Sequence, residues 1–178
     1  ETSGNATATS PGATNVVATF TVTNTGNNAQ GYQLTPTNLT GTSLFSQTDN
    51  SDVNNLRVFV DSNANGTYQA GTDTAIAIDT LAEDGSVTVF IVADVPLTAT
   101  NGQYANVQLA ARAAVAGTSG ATLVTESTGA DNPAAVDVVF ADTGAVARDG
   151  IHEGADQYAV ASASLSVSKS STVISDPF

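Results

Sequence analysis

The segment DSNANGTYQAGTD, Asp61 to Asp73, carries the densest spacing of oxygen donors in the 178-residue chain. Asp61, Asn63 and Asn65 set short carboxylate or amide side chains at alternate positions, Gly66 permits a sharp turn, and the Thr67 carbonyl can add another ligand. This matches the first half of a calcium loop, where a hard cation collects oxygen ligands. The second half departs from the EF-hand pattern, with Thr72 where a bidentate Glu is needed and Asp73 one residue late. Calcium at Asp61, Asn63, Asn65, Thr67 and Asp73 is therefore expected to bind more weakly than in a sensor, with Asp73 closing the loop or Asp49 or Asp52 completing it. The metal-free alternative is an Asx-rich hairpin, because Asp and Asn also satisfy turn backbones without an ion.

Other chemistry is thinner. Asp142-Thr143-Gly144 follows an apolar run and has the form of an aspartic-protease corner, but it occurs once, and a strand ending in a turn explains it equally simply. The only histidine, His152, has Glu153 and Asp156 nearby in a Gly-containing stretch that reads as a solvated loop rather than a metal site. Lys169, the only lysine, fits an exposed terminal strand better than a buried isopeptide crosslink. Sequons at Asn5, Asn38 and Asn65 fit a Thr- and Asn-rich exterior, and Tyr32, Tyr68, Tyr104 and Tyr158 read as scattered anchors. Phosphate-loop and dinucleotide fingerprints are absent, so the expectation is a non-enzymatic protein.

The elements that must carry these residues are strands. Val17, Phe20 and Val22 are framed by Thr and Asn between Asn15 and Asn24, the alternation of a half-buried strand. Similar patterns fall at GYQLTP, Asn55 to Asp61, Thr74 to Asp79, Ser86 to Val95, Tyr104 to Val115, AAVDVVFAD and Tyr158 to Val167. The alanine-rich Ala105 to Ala116 has a helical alternative by propensity, which the alternation of Val107 and Leu109 opposes. Turn-forming TGNN, DSNANG, EDG, TNG and GTSG separate these runs. Nine or ten strands in an antiparallel, Ig-like β-sandwich are expected, with an N-terminal extension or exchanged strand at 1–12, the sandwich at 13–167, and a linker or the start of a neighbouring repeat at 168–178.

Four Lys and Arg against 17 Asp and Glu give a net charge of −13, which excludes phosphate neutralisation on nucleic acid and attraction to anionic lipid. No apolar run reaches membrane-spanning length, so no membrane insertion is expected. Aromatic residues make up only 6% of the chain, leaving Val, Ala, Leu and Ile to build the core.

FTVTNTGN, VFVDSNANGTYQAGTDT, LAEDGSVTVFIVADVP and LSVSKSSTVISDPF, in that order, resemble bacterial cell-surface proteins with the DUF11-type conserved repeat. The resemblance implies an Ig-like or CARDB-like sandwich cut from a larger exported precursor, extracellular and structural. It also implies self-association or neighbouring repeats as partners, with an adhesin or glycan-binding module as the alternative function.

Overall fold

The computed structural model describes residues 6–130, 133–134, 137–163 and 165–172. Ten strands form, and no helix appears among the described residues. They are β1 (Thr7–Thr9), β2 (Val16–Thr23), β3 (Gln30–Asn38), β4 (Ser43–Leu44), β5 (Gln47–Thr48), β6 (Asn54–Val60), β7 (Ala77–Leu81), β8 (Ser86–Asp94), β9 (Tyr104–Ala114) and β10 (Ile151–Val160). A five-stranded sheet, β1-β10-β9-β3-β7, faces a three-stranded sheet, β2-β8-β6, and β4 and β5 make a small hairpin. Every pairing is antiparallel except β1 on β10. The chain is thus all-β and sandwich-like.

Period-two patterning builds the interior. In β2, Ala18, Phe20 and Val22 are buried while Thr19, Thr21 and Thr23 face solvent. Val107 and Leu109 of β9 lie in the same core, so alternation prevails over the helix propensity of the alanine-rich stretch. Pro36 is tolerated in β3 because β7 pairs only with Gln30 to Gln33, so no ladder partner is owed on that side. Between the sheets, the Tyr158 hydroxyl donates toward the carbonyls of Ile91 at 3.1 Å and Val16 at 3.4 Å. Burial, reinforced by the charge of Asp156, pushes this phenol far above its ordinary pKa.

Asn24, in the TNTG block, is nearly fully buried at a crossroads of turns. Its amide nitrogen donates to the carbonyls of Asn28, Leu81 and Ala82 at 2.8–3.1 Å. Its oxygen accepts from Gly26 N and the Tyr32 hydroxyl, both at 3.0 Å. The β2–β3 turn and the LAEDG turn before β8 are therefore fastened by one side chain. Burial also raises the pKa of Tyr32.

Three sequence expectations are corrected. Residues 137–142 form no strand, and Val138 is instead tied to Ser127 by reciprocal bonds of 2.8 Å, to the Ser127 hydroxyl and from its backbone N–H. The edge of β9 is taken by Ile151–Val160, although the polar first half of this segment has the composition of a loop. The strand ends at Val160 rather than continuing to Val167. Within residues 1–12, Thr7–Thr9 pairs with β10 of the same chain.

Candidate functional site

The Asp61–Asp73 loop joins β6 to β7 and is wired from within. Asp61 Oδ1 accepts from Asn65 N at 3.2 Å and Oδ2 from Gly66 N at 2.7 Å. Asp73 Oδ1 accepts from Ser62 N at 3.0 Å and Oδ2 from Gln69 N at 2.7 Å. Both carboxylates are buried, so they substitute for the strand partners that the loop backbone lacks. Asn65 Oδ1 accepts from Thr67 N at 2.8 Å, and the Asn63 amide donates to Gln69 Oε1 at 2.8 Å. Gly66 and Gly71 adopt the left-handed backbone, and Ala64 adopts it too, at φ 55°.

Tyr68 folds this loop onto the outer face of the three-stranded sheet. Its ring stacks on Phe59 at 5.2 Å between centroids and meets Phe90 edge-on at 6.0 Å. This cover accounts for the burial of Phe90, which faces away from the core that Val89, Ile91 and Ala93 join. Beside the loop, Asp61, Asn65 and Gly66 border a shallow cleft of about 400 Å³ against the start of β8.

The five residues expected to hold calcium thus lie in one loop, with Asp61 and Asp73 serving backbone N–H groups. Among the described residues, no group of three or more His, Cys, Asp or Glu side chains converges on one point. Asp49 and Asp52 precede β6 whereas Asp61 follows it, which separates them by roughly 20 Å along the strand. Asp49 is committed elsewhere, accepting from Asn106 N at 2.8 Å and Gly41 N at 3.1 Å under the β4–β5 hairpin. Only two side chains of the loop, Asp61 and Asp73, are anionic, and all four of their oxygens accept backbone N–H bonds.

The remaining motifs are dispersed. Asp142 accepts from Gly150 N at 3.0 Å as a loop tether. Desolvation pushes its pKa up, but backbone N–H groups of Gly150, Asp149 and Arg148 outweigh this and hold it below the ordinary carboxylate range. On β10, alternation puts His152 and Asp156 on the inner face and Glu153 on the other. His152 is exposed, Glu153 accepts from Ala145 N at 3.0 Å, and Asp156 is buried beside Tyr158. Burial raises the Asp156 pKa against the lowering effect of its bond from Gln157 N. Asn38 exchanges bonds with Val53, at 2.9 Å from its amide and 3.3 Å to its oxygen, while Asn5 lies outside the described residues. Both aromatic ring contacts among the described residues belong to Tyr68, so the four tyrosines build no shared platform. Lys169 is exposed and outside any strand.

No family model, curated protein or solved structure matches the chain. Its function is therefore read from its own residues.

Proposed function

We propose that this chain is a non-enzymatic structural subunit of an extracellular surface fibre or stalk, an Ig-like module of the DUF11 type. The observation that carries the reading is the segment after β10. Residues 165–172 adopt no regular structure, yet Leu165 and Val167 are 90% and 86% exposed. They are the two most exposed of the large aliphatic residues, ahead of Leu97, and lie two positions apart, so a partner that covers this segment would take both from water together. Strand complementation between copies supplies such a partner and uses open sheet edges.

Calcium belongs to the same proposal as a stiffening ion at Asp61, Asn63, Asn65, Thr67 and Asp73. When bound it would add charge neutralisation to a loop already held by its own N–H groups, and so strengthen a module under load.

Cryo-electron microscopy of native material, released from cells without denaturation, tests the reading. Filaments with a repeat the size of one sandwich are expected. Dispersed single modules would overturn the fibre reading and make saturable glycan binding the next measurement.

A further inference from the structure

The chain contains two Asn-Gly pairs, Asn65-Gly66 and Asn101-Gly102, and the fold treats them differently. An asparagine before glycine can lose ammonia when the next backbone nitrogen attacks its side-chain carbonyl, because glycine has no Cβ to crowd the five-membered ring that forms. The reaction needs a base for the N–H, a donor for the oxygen that becomes negative, and an arrangement that holds the nitrogen near the carbonyl carbon.

At Asn65 all three are present. The Gly66 N–H donates to Asp61 Oδ2 at 2.7 Å, so a buried carboxylate sits on the proton that must leave. The Thr67 N–H donates to Asn65 Oδ1 at 2.8 Å, on the oxygen that takes the charge. That bond also closes a turn around Gly66 N, which keeps the Asn65 carboxamide on the side of the attacking nitrogen. The other carboxylate oxygen of Asp61 accepts from Asn65 N at 3.2 Å and so fixes the base in place. Asn65, Gly66 and Thr67 are exposed, and a Cβ at Gly66 would meet nothing within 4 Å, so water has access to the product ring.

Asn101 has the same sequence and none of this. The Gly102 N–H donates to the Val160 carbonyl at 2.9 Å, and Asn101 Oδ1 accepts from Ser162 N at 3.0 Å. A peptide carbonyl is no base for an amide proton, and Ser162 draws the carboxamide away from its own following peptide.

We propose that Asn65 is a self-modification site, at which Gly66 N attacks Asn65 Cγ with Asp61 as general base and the Thr67 N–H as oxyanion donor. The N–C bond forms as Asp61 takes the Gly66 proton. The tetrahedral carbon then expels Nδ2, which leaves as ammonia with that proton, and a succinimide remains. Water opens the ring at either carbonyl, giving an aspartyl or an isoaspartyl linkage to Gly66. One water enters and one ammonia leaves, with no oxidant, reductant or cofactor. The loop gains a third carboxylate alongside Asp61 and Asp73, and the isoaspartyl product carries the main chain through the side chain of residue 65. The inference stands apart from the fibre reading.

The folded full chain is incubated at neutral pH with a chelator, so that no cation occupies Asp61. Chymotrypsin, cutting after Tyr68 and Phe90, then puts the two asparagines on separate peptides for mass spectrometry. Asn65 is expected to exchange NH2 for OH at least about tenfold faster than Asn101, a fraction of the roughly 10²–10⁴-fold of a well-matched base because a carboxylate is weak toward an amide proton. Isoaspartate should be among the products. In denaturant, where neither Asp61 nor Thr67 is held in place, the two asparagines should react at similar rates. Asp61→Asn should bring Asn65 down to the pace of Asn101 in the folded chain. Native Asn65 no faster than native Asn101, a rate that Asp61→Asn leaves unchanged, or ammonia loss without isoaspartate each overturns the proposal. If the variant opens the fold, Asn101 accelerates with Asn65 toward the denatured rate, and the wild-type comparison then decides alone.

Discussion

The loop from Asp61 to Asp73 and the tail after Val160 are both outside the strands, and they solve opposite problems. The loop buries two carboxylates, gives each oxygen a backbone N–H, and docks Tyr68 on Phe59 and Phe90. The tail exposes Leu165 and Val167 while Ser and Lys residues surround them. Polar residues turned inward and satisfied make a region complete within one chain. Apolar residues turned outward make a region that, under the fibre proposal, a neighbouring copy completes. Substitutions in the loop should therefore be read in stability, and substitutions in the tail in assembly.

The largest stability effect is expected at the loop. Asp73→Ala removes two acceptors and strands the N–H groups of Ser62 and Gln69, which should cost about 2–4 kcal/mol at the usual scale for buried polar groups losing their partners. Tyr68→Ala should cost a similar amount, about 3 kcal/mol, by uncovering Phe59 and Phe90. Denaturant unfolding measures both. A loss below about 0.5 kcal/mol for each, the range of ordinary surface substitutions, would erase the contrast with the tail.

Asp156 comes next and carries the opposite sign. Burial raises its pKa in the folded protein, so the native state holds this proton more tightly than the unfolded chain. The associated stability is fully present below the unfolded carboxylate value of about 4 and is lost as pH rises through the raised folded value. Asp156→Asn is therefore expected to stabilise the protein at neutral pH by on the order of 1 kcal/mol, the scale of relieving one desolvated charge. The gain should vanish at low pH, where wild type is also neutral at this site. Melting curves across pH check it, and a variant less stable than wild type at pH 7 would show that the ionised carboxylate is needed.

How legible these features are depends on which interactions create them. The β2 strand is readable because its Thr and aliphatic residues alternate and β-branched side chains suit a half-buried pleat. The first half of β10 is not, since Gly154, Glu153 and Asp156 are residue types depleted in strands and are held there by register with β9. The oxygen spacing of Asp61, Asn63 and Asn65 is visible locally, and so is the Asx-turn alternative. Tyr68 stacking on Phe59 and Phe90 depends on chain reversal and has no local signature. The same holds for Asn24, whose partners Leu81 and Ala82 lie 57 and 58 residues away. Its buried, satisfied amide gives the TNTG block a structural explanation: it joins two turns that are distant in sequence.

Calcium sharpens the comparison by an amount of the same order as Asp156. At a dissociation constant of about 1 mM, typical of extracellular modules, 10 mM calcium contributes about 1.4 kcal/mol, or roughly 3–6 °C in melting temperature for a chain of this size. The increment should disappear in Asp61→Asn while magnesium at equal ionic strength leaves wild type unshifted. Equal shifts from both salts would identify screening of the −13 charge instead of a site.

The smallest stability effect belongs to the tail, and its smallness is what gives it meaning. Among the described residues, truncation after Ala163 removes none from a strand and none of the buried core. The melting temperature should therefore stay within about 2 °C, the scale of a change below 0.5 kcal/mol. If the exposed Leu165 and Val167 serve a neighbouring copy, the same truncation abolishes assembly measured by sedimentation. A destabilised but still assembling product would mean that the tail packs on its own sandwich, reversing the assignment of which region is complete within one chain.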